Sequence, residues 1–305
     1  MDLRPEPSAR QSAAGVESRG LKRRERGRPD PQAGLVFACI APHGGLAIPE
    51  ACAPEETNLA PATQAGMLQL GLRCDAAAPD TLIVLTPHGI HVEGHFAVVI
   101  AGRMAGALEE TPAVALDVPV ARDLAASILA GFQEAHIPTL GVSFGGNVPE
   151  DSVMPMDWGT LIPLWYLGGR RDPPRSIVVV APARDRPLAE HVAAGAAIAA
   201  VARRSSLRLG LVASADQAHT YRADGPYGLS PRAAELDGRI VEAVREGSLR
   251  SLLELEPALV EETKPDSWWQ LLMLAGATDD AWRPEVISFE VPTYFGMLCA
   301  AYSPP

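Results

Sequence analysis

The sequence Leu35-Val36-Phe37-Ala38-Cys39-Ile40-Ala41-Pro42-His43-Gly44-Gly45 decides the fold class of this 305-residue chain. Its first seven residues form an apolar run of strand length, which ends at a Pro-His-Gly turn. Two similar runs, Thr81–Thr86 and Leu207–Ser214, precede His88 and His219. Such runs are typical of strands buried on both faces of a parallel sheet, and ligands bind outside the carboxyl ends of those strands. We therefore expect the three histidines at one sheet edge, in a metal or acid–base site.

The remaining pattern alternates predicted strands with predicted helices. Further strands are predicted at Phe96–Ala101, Thr139–Phe144, Ser176–Ala181 and Pro284–Val291. Helices are predicted at Glu55–Leu72, Val118–Gly131, Thr160–Leu167, Pro187–Arg204, Pro231–Glu246, Ser248–Glu254, Ser267–Ala275 and Thr293–Tyr302. This alternation predicts one α/β domain over residues 35–305, with a central sheet that is mostly parallel or mixed and helices on both faces.

Residues 1–34 differ in composition from the rest of the chain. They carry eight basic and five acidic residues, with four prolines, four glycines and no aromatic residue. Such a segment buries too little apolar surface to offset the entropy of ordering, so we predict a disordered tail. The whole chain has a net charge of −11, which leaves −14 on the remaining residues. So acidic a domain repels phosphates, and we expect no nucleic-acid partner.

Compartment and assembly are only partly constrained by the sequence. The longest apolar run, Val192–Ala202, is shorter than the ~20 residues that a bilayer-spanning helix needs, so no membrane association is expected. The four cysteines show no CxxC spacing and lie mostly in apolar segments. We expect buried, reduced thiols in a cytoplasmic protein. The sequence leaves open whether the chain forms a homo-oligomer.

His43, His88 and His219 are the main candidates for chemistry, each with a simpler alternative. The glycines after His43 and His88 leave room for a close approach, although a turn histidine bonded to backbone would look the same. Asp216 lies three residues before His219, where a carboxylate can orient an imidazole and raise its basicity for general-base work. In the alternative, Asp216 caps a helical turn and His219 is solvated.

The remaining histidines and the acidic candidates carry weaker signals. His91 and His95 are interpreted as loop residues, and His136 and His191 as exposed or structural. A metal held by two histidines usually takes a carboxylate as well, which leaves open positions for substrate and O2. Asp266 is one candidate, and Glu261 and Glu262 are others. From the residues alone, a helix N-cap is the favoured role for Asp266.

Several motifs together resemble those of a known family, the class III extradiol ring-cleavage dioxygenases. That superfamily contains the catalytic subunit of protocatechuate 4,5-dioxygenase, the DOPA 4,5-dioxygenases and the Memo proteins. The resemblance covers roughly residues 35–302. Its carriers are the segments 41–45 (APHGG), 87–89 (PHG), 156–164 (MDWGTLIPL), 214–219 (SADQAH), 266–277 and 292–297 (PTYFGM).

The resemblance implies an iron site and an acid–base residue. In that family two histidines and a glutamate bind Fe(II), and His43 and His88 match the histidines. Counting back from Gly276-Ala277 places the third ligand at Asp266, where the dioxygenases have Glu and Memo proteins have Cys. His219 matches a histidine that serves as acid–base at the catechol hydroxyl. DOPA-type enzymes have Asp-His-Gly where this chain has Asp157-Trp158-Gly159, so one active-site histidine of that type is absent.

Taken together, the residues and the resemblance predict a non-haem Fe(II)-dependent dioxygenase that opens a catecholic ring with O2. Its partners would be a small aromatic substrate and O2. Asp157, Trp158, Asp216 and Tyr227 are expected around the metal or in the substrate pocket, and Trp268 and Trp269 could also line it. Two alternatives remain: a Memo-like protein that binds metal, with Zn or Cu in place of iron, without cleaving rings, and a metal-assisted hydrolase.

Overall fold

Eleven strands and seven α-helices make up the part of the chain that the structure, a computed structural model, describes, which is residues 33–305. The strands are β1 (Gly34–Ala41), β2 (Thr81–Leu85), β3 (Phe96–Val99), β4 (Arg103–Ala107), β5 (Ala115–Pro119), β6 (Thr139–Val142), β7 (Val153–Pro155), β8 (Ser176–Ala181), β9 (Arg208–Ser214), β10 (Arg283–Glu290) and β11 (Met297–Ser303). The helices are α1 (Pro61–Ala77), α2 (Arg122–Glu134), α3 (Trp158–Leu167), α4 (Leu188–Arg204), α5 (Ala233–Glu246), α6 (Pro257–Thr263) and α7 (Trp268–Thr278).

The main sheet is mixed, with a parallel centre. Its eight strands lie in the order β10-β11-β1-β9-β2-β8-β3-β6. The four central neighbours β1, β9, β2 and β8 run parallel, whereas β11 pairs antiparallel with β1 and β3 pairs antiparallel with β8. Four consecutive carboxyl ends therefore open onto one edge of the sheet, as expected for the strands that precede His43, His88 and His219.

Helices cover both faces of this sheet, because alternate strand residues point to opposite sides. Ile83 and Leu85 of β2 belong to a core layer with α2, α4, α5 and α7. Leu82 and Val84 belong to a second layer, which contains α1, α3 and a small three-stranded sheet in the order β5-β4-β7. The predicted fold class, a single α/β domain with helices on both faces of a mixed sheet, is confirmed.

The C-terminal prediction was wrong. Thr293–Tyr302 was expected to form a helix, but Met297–Ser303 forms strand β11 between β1 and β10. Its residues are almost all buried, so the sequence shows a continuous apolar run, and periodicity alone cannot separate a buried strand from a buried helix in such a run. The antiparallel pairing with β1 decides the outcome.

Two other predicted helices have shifted boundaries. Glu55–Leu72 was expected to be helical, yet α1 begins at Pro61, which occupies the first turn, where proline is tolerated. Val118–Gly131 was expected to be helical as well, but Val118 belongs to β5 and α2 begins at Arg122. The small sheet and α6 were not predicted, and Ser248–Glu254 contains a 3₁₀ helix, Leu249–Glu254, instead of an α-helix.

The remaining general predictions have mixed outcomes. The predicted disordered tail, residues 1–34, lies almost wholly outside the described residues. All four cysteines are free, and Cys39, Cys74 and Cys299 are buried. Within residues 33–305, no helix combines the length and the apolar character that crossing a membrane would require.

Candidate metal centre

Three predicted ligand residues meet at the carboxyl edge of the sheet. His43 follows β1, His88 follows β2, and Asp266 lies just before α7. The Nε2 atom of His43 is 3.1 Å from Oδ2 of Asp266 and 3.1 Å from Nε2 of His88. The third side of the triangle, from His88 Nε2 to Asp266 Oδ2, is 3.3 Å. The His–His–Asp triad (His43, His88, Asp266) thus presents three ligand atoms to one point.

The spacing of these atoms fits a metal ion. An ion about 2.1 Å from two ligand atoms at right angles to each other holds those atoms about 3.0 Å apart. The three observed separations are close to that value. The donor set is also suitable, because imidazole nitrogen and carboxylate oxygen are shared by sites for iron, zinc and copper. Although aspartate is shorter than glutamate, the carboxylate of Asp266 reaches both histidines.

A hydrogen-bond chain fixes the ring of His43. Its Nδ1 lies 2.9 Å from Oγ of Ser214, and that hydroxyl donates to the carbonyl oxygen of Gly159 at 2.5 Å. Because the Ser214 hydroxyl donates its proton to Gly159, it accepts a hydrogen bond from Nδ1–H of His43. Nε2 is therefore the ring nitrogen that faces the triad. Pro163 leaves the carbonyl oxygen of Gly159 free to accept the hydrogen bond from Ser214. It lies four residues after Gly159 in α3 and has no N–H to occupy that carbonyl.

Local contacts also set the position of His88. The Oγ1 atom of Thr86 accepts from the backbone N–H of His88 at 3.2 Å, and it donates to the carboxylate of Asp157 at 2.8 Å. The ring of Trp158 lies against the His88 ring with 4.3 Å between centroids. A side chain at Gly159 would approach within 2.7 Å of Thr86 Oγ1 and 3.1 Å of the His88 ring, so the start of α3 can pack here only with glycine.

Asp266 is not the N-cap that the sequence alone favoured. Ser267 occupies the N-cap position of α7, and its side chain makes no capping hydrogen bond. The carboxylate of Asp266 instead accepts from the backbone N–H of Asp216 through Oδ1, at 3.0 Å, and directs Oδ2 to the histidines. Gln270, in the first turn of α7, donates to the carbonyl oxygens of Asp266 and Ser214.

The electrostatics of the site favour a bound cation. Burial opposes charge on His43, but the neighbouring carboxylates of Asp216 and Asp266 outweigh it and raise the pKa of His43 to about 9. Burial raises the pKa of Asp216 to about 6, against the opposing effect of His43. Burial also opposes charge on Asp266, yet His43 and the hydrogen bonds from both triad histidines hold its pKa well below the usual range. A metal ion would take the place of the His43 proton.

His219 lies beside the triad but is held differently from what its spacing to Asp216 suggested. Asp216 does not orient it: the Asp216 carboxylate accepts from the backbone N–H of His43 at 3.0 Å. Instead, the backbone N–H of His219 donates to Thr263 at 2.8 Å, and its ring stacks on Phe295 with 5.1 Å between centroids. Among residues 33–305, Nδ1 of His219 has no hydrogen-bond partner, and Nε2 is 4.0 Å from Oδ2 of Asp266.

Comparisons with known proteins place the chain in a family. A family model described as the catalytic LigB subunit of aromatic ring-opening dioxygenase matches residues 37–298. The chain belongs to this family. It is 20% identical over 255 residues to protein CA_C1420 of Clostridium acetobutylicum, a match covering 82% of this chain and 54% of that protein. The chain thus spans about half the length of that curated relative.

A solved structure shares the fold of this LigB-family chain. It is the crystal structure of the uncharacterized protein JW3007 from Escherichia coli K12, with a TM-score of 0.60 and 18% identity. The likeness covers 87% of this chain and 99% of that one. The shared fold extends over nearly all of the described residues, so the strands that position the triad are those of a common architecture.

The triad of this LigB-family member opens onto a cavity of about 1130 Å³. Its walls are rich in aromatic rings. The lining includes Trp158, Tyr227, Trp268, Trp269, Tyr294 and Phe295, together with all three triad residues, Asp216 and His219. Tyr227 approaches the His219 ring edge-on at 5.9 Å. Trp268 is mainly a core residue, since its indole N–H donates to Leu252 and it is 7% exposed.

Several sequence candidates lie outside the triad. Asp157 caps the start of α3 and supports Thr86. His95 bonds to the carbonyl of Glu93, and His191 is buried against Phe96. Among the acidic alternatives to Asp266, Glu261 pairs with Lys264, and Glu262 accepts from Ser230.

Among the residues at the site that were not singled out from the sequence are Ser214, Arg184 and Phe295. The reasoning that placed His43 at the end of β1 would have placed Ser214 at the end of β9 and Arg184 three residues after β8. Phe295 lies in the PTYFGM segment that carries the resemblance, but that segment was predicted to be helical, so its contact with His219 was not predicted.

Proposed function

We propose that this chain is a non-haem Fe(II)-dependent extradiol dioxygenase that opens a catecholic ring with O2. The observation that carries the proposal is the convergence of the triad, whose ligand atoms lie within 4.8 Å of one another at the wall of the cavity. Two histidines and one carboxylate on one side of an iron leave positions for a chelating catechol and for O2. Membership of a family described by aromatic ring opening supports the same reaction class.

The cavity suits an aromatic substrate. Trp158 presents a half-exposed ring next to His88, and Phe295 lies behind His219, so aromatic surfaces flank both sides of the site. Rings packed in offset or edge-on geometry gain about 0.5–1.5 kcal/mol beyond area burial. These surfaces would hold the substrate ring and exclude water from the atoms that react.

The residues of the chain would divide the work between orientation and proton transfer. Fe(II), when bound, supplies a template for catechol and O2 and lowers the pKa of a coordinated hydroxyl. Ser214 keeps Nε2 of His43 directed at the triad, and Asp216 keeps Oδ2 of Asp266 there through its backbone N–H. Within the described residues Nδ1 of His219 has no hydrogen-bond partner and Nε2 lies 4.0 Å from Asp266 Oδ2, so His219 would accept the catechol proton and return it later.

The direct test is oxygen consumption by the protein loaded anaerobically with Fe(II) and then mixed with a panel of catechols in air-saturated buffer. We expect one O2 consumed per ring opened. His43→Ala and His88→Ala should abolish both metal uptake and O2 consumption. His95→Ala, which removes a histidine outside the triad, should leave both unchanged. Oxygen consumption that survives both triad substitutions would exclude the proposed mechanism.

One observation favours a second candidate, a metal-binding protein of the same fold without ring cleavage. Trp158 lies against His88 at the position where DOPA-type enzymes have a histidine. The two functions differ in one measurable step. A binding protein would hold metal and catechol without oxygen and then consume none when air is admitted, and Zn or Cu would serve it as well as Fe(II).

A further inference from the structure

A second cavity, of about 250 Å³, adjoins the one onto which the triad opens. His88 and Ile90 line both cavities, so the short segment 88–90 is the wall between them. The middle residue of this wall is Gly89, which has a φ of +78°, and a Cβ there would lie 2.8 Å from the carboxylate of Asp157. The second cavity therefore touches a predicted metal ligand without being part of the substrate cavity.

The walls of the second cavity are mainly apolar. Eight of its twelve lining residues have apolar side chains, and the buried ones among these are Val99, Met104, Met154, Met156 and Val179. The two valines lie on the main sheet, and the methionines lie on the small sheet or next to it. The cavity is thus a gap between the two sheets. Methionine side chains adapt their shape to such a gap, and they offer a ligand polarizable apolar surface.

The polar side chains Thr86 and Asp157 on its wall are already bonded within the protein. Thr86 accepts from the backbone N–H of His88 and donates to the carboxylate of Asp157. That carboxylate also accepts from the backbone N–H and from the hydroxyl of Thr160, each at 2.9 Å. A buried water molecule needs two to four polar partners, so these walls hold water poorly and favour a small apolar molecule.

One end of the second cavity faces solvent. Phe144 and Pro155 line it and are both exposed, and the Phe144 side chain is 62% exposed. The cavity wall therefore extends from the protein surface to His88. A molecule that enters at Phe144 can come up to the triad without passing through the substrate cavity.

We propose that the second cavity takes up O2 and is the route by which O2 reaches the metal site. This proposal rests on the proposed function and adds the entry of the second substrate to it. A catechol in the substrate cavity would fill the open approach to the triad, whereas the second cavity would stay open. O2 is small and apolar, so it moves favourably from water into apolar surroundings. The wall that it must pass is three residues of one chain, and the middle one has no side chain.

Xenon tests the site without metal or turnover, because it binds in dry apolar cavities. In crystals of the metal-free protein pressurised with xenon, we expect xenon density in the second cavity. Met154→Trp places an indole in the cavity and should remove that density. Val153→Trp is the matched control, because Val153 is the preceding residue on the same strand and its side chain, 44% exposed, points to the opposite face. This variant should still bind xenon.

Oxygen kinetics then test the route. With Fe(II)-loaded protein and catechol, Met154→Trp should lower kcat/KM for O2 about 4- to 15-fold, the factor for returning one or two methylene-sized apolar groups to water. The affinity for catechol, titrated without oxygen, should stay unchanged. Val153→Trp should change neither quantity. Met104→Phe fills the cavity from the strand paired with β7 and should behave like Met154→Trp, so the test does not depend on the folding of one variant.

Two results would overturn the proposal. The first is the absence of xenon from the second cavity of the unsubstituted protein. The second is a filled variant that no longer binds xenon and yet keeps its kcat/KM for O2, or loses O2 reactivity and catechol affinity to the same extent. Failure of the proposed function is distinguishable, because no catechol would then consume O2 while xenon would still occupy the second cavity.

Discussion

His43 and His219 lie at two corners of one cavity and are held in opposite ways. His43 is 2% exposed, its backbone N–H and both ring nitrogens have partners, and a serine fixes its tautomer. His219 is fixed by its backbone N–H and by stacking on Phe295; within the described residues its Nδ1 has no hydrogen bond, and its Nε2 lies 4.0 Å from Asp266. The first arrangement suits a ligand that must not move or change tautomer. The second suits a group that exchanges a proton with a bound molecule.

Among substitutions that leave the triad intact, the largest effect is expected from His219→Gln. Glutamine keeps a polar side chain but cannot accept and return a proton near neutral pH, and general acid–base groups contribute about 10²- to 10⁴-fold to rate. We expect kcat to fall within that range in steady-state oxygen-electrode assays with a catechol. Metal content, measured by mass spectrometry, should stay equal to that of the unsubstituted protein.

The control for this variant is His95→Gln, because the ring of His95 bonds to the carbonyl of Glu93, away from the triad. It should retain both rate and metal. If His219→Gln lost both bound metal and activity, His219 would be a metal ligand, and it would no longer differ in role from His43.

A smaller effect is expected from Ser214→Ala. Ser214 is fully buried, and its loss leaves both Nδ1–H of His43 and the carbonyl of Gly159 without partners. Unpaired buried groups cost about 1–3 kcal/mol of stability, and loss of a partner behind a metal-binding histidine typically lowers metal affinity about 10- to 100-fold. Urea denaturation and calorimetric metal titration measure the two effects separately.

Ser127→Ala is the matched control for Ser214→Ala, because its hydroxyl donates to Asp123 on the exposed side of α2. It should change neither quantity. A Ser214→Ala variant with reduced stability but unaltered metal affinity would show that the hydroxyl only joins β9 to α3. The tautomer of His43 would then be set elsewhere.

The parallel centre of the sheet could be predicted from the sequence because its strands are buried on both faces. β2 and β8 were placed within one residue from their Val and Ile content alone. The strands outside this parallel centre could not be predicted in the same way. β4 contains Arg103, Ala105 and Gly106, a composition with no strand signal, and it exists because β5 and β7 pair with it. For β11, only its pairing with β1 and β10 separates strand from helix.

For the site, the sequence supplied the residue types, and tertiary structure supplied their partners. Pro-His-Gly after a buried strand was enough to bring His43 and His88 to one edge. The spacing of Asp216 and His219 suggested a pair, but the backbone turns the carboxylate to His43 instead. Asp266 looked like a helix cap because its approach to the histidines depends on an N–H from Asp216, fifty residues away in the chain.

The smallest effect concerns the loop that carries His219. Asp237 of α5 is buried and accepts from the backbone N–H of Ala218 and from the hydroxyl of Tyr221, each at 2.9 Å. It therefore fastens the chain on either side of His219. Burial raises the pKa of Asp237 to about 7, from an ordinary value of 3.8. The folded state then binds a proton that the unfolded state has released, so the stability that Asp237 contributes declines as pH rises through 7.

Asp237→Asn should remove this pH dependence, because the amide is neutral throughout. The free energy of unfolding of the variant relative to the unsubstituted protein should increase between pH 5 and pH 7, by at most about 1.4 kcal/mol per pH unit, and level off above. Urea titrations at four pH values measure it, with the exposed Asp224→Asn as control. Parallel curves for the two proteins would mean that Asp237 is ionised in the fold at all these pH values. The hydrogen bonds from Asp237 to the loop that carries His219 would then be independent of pH. His219 would be held in place as firmly as His43.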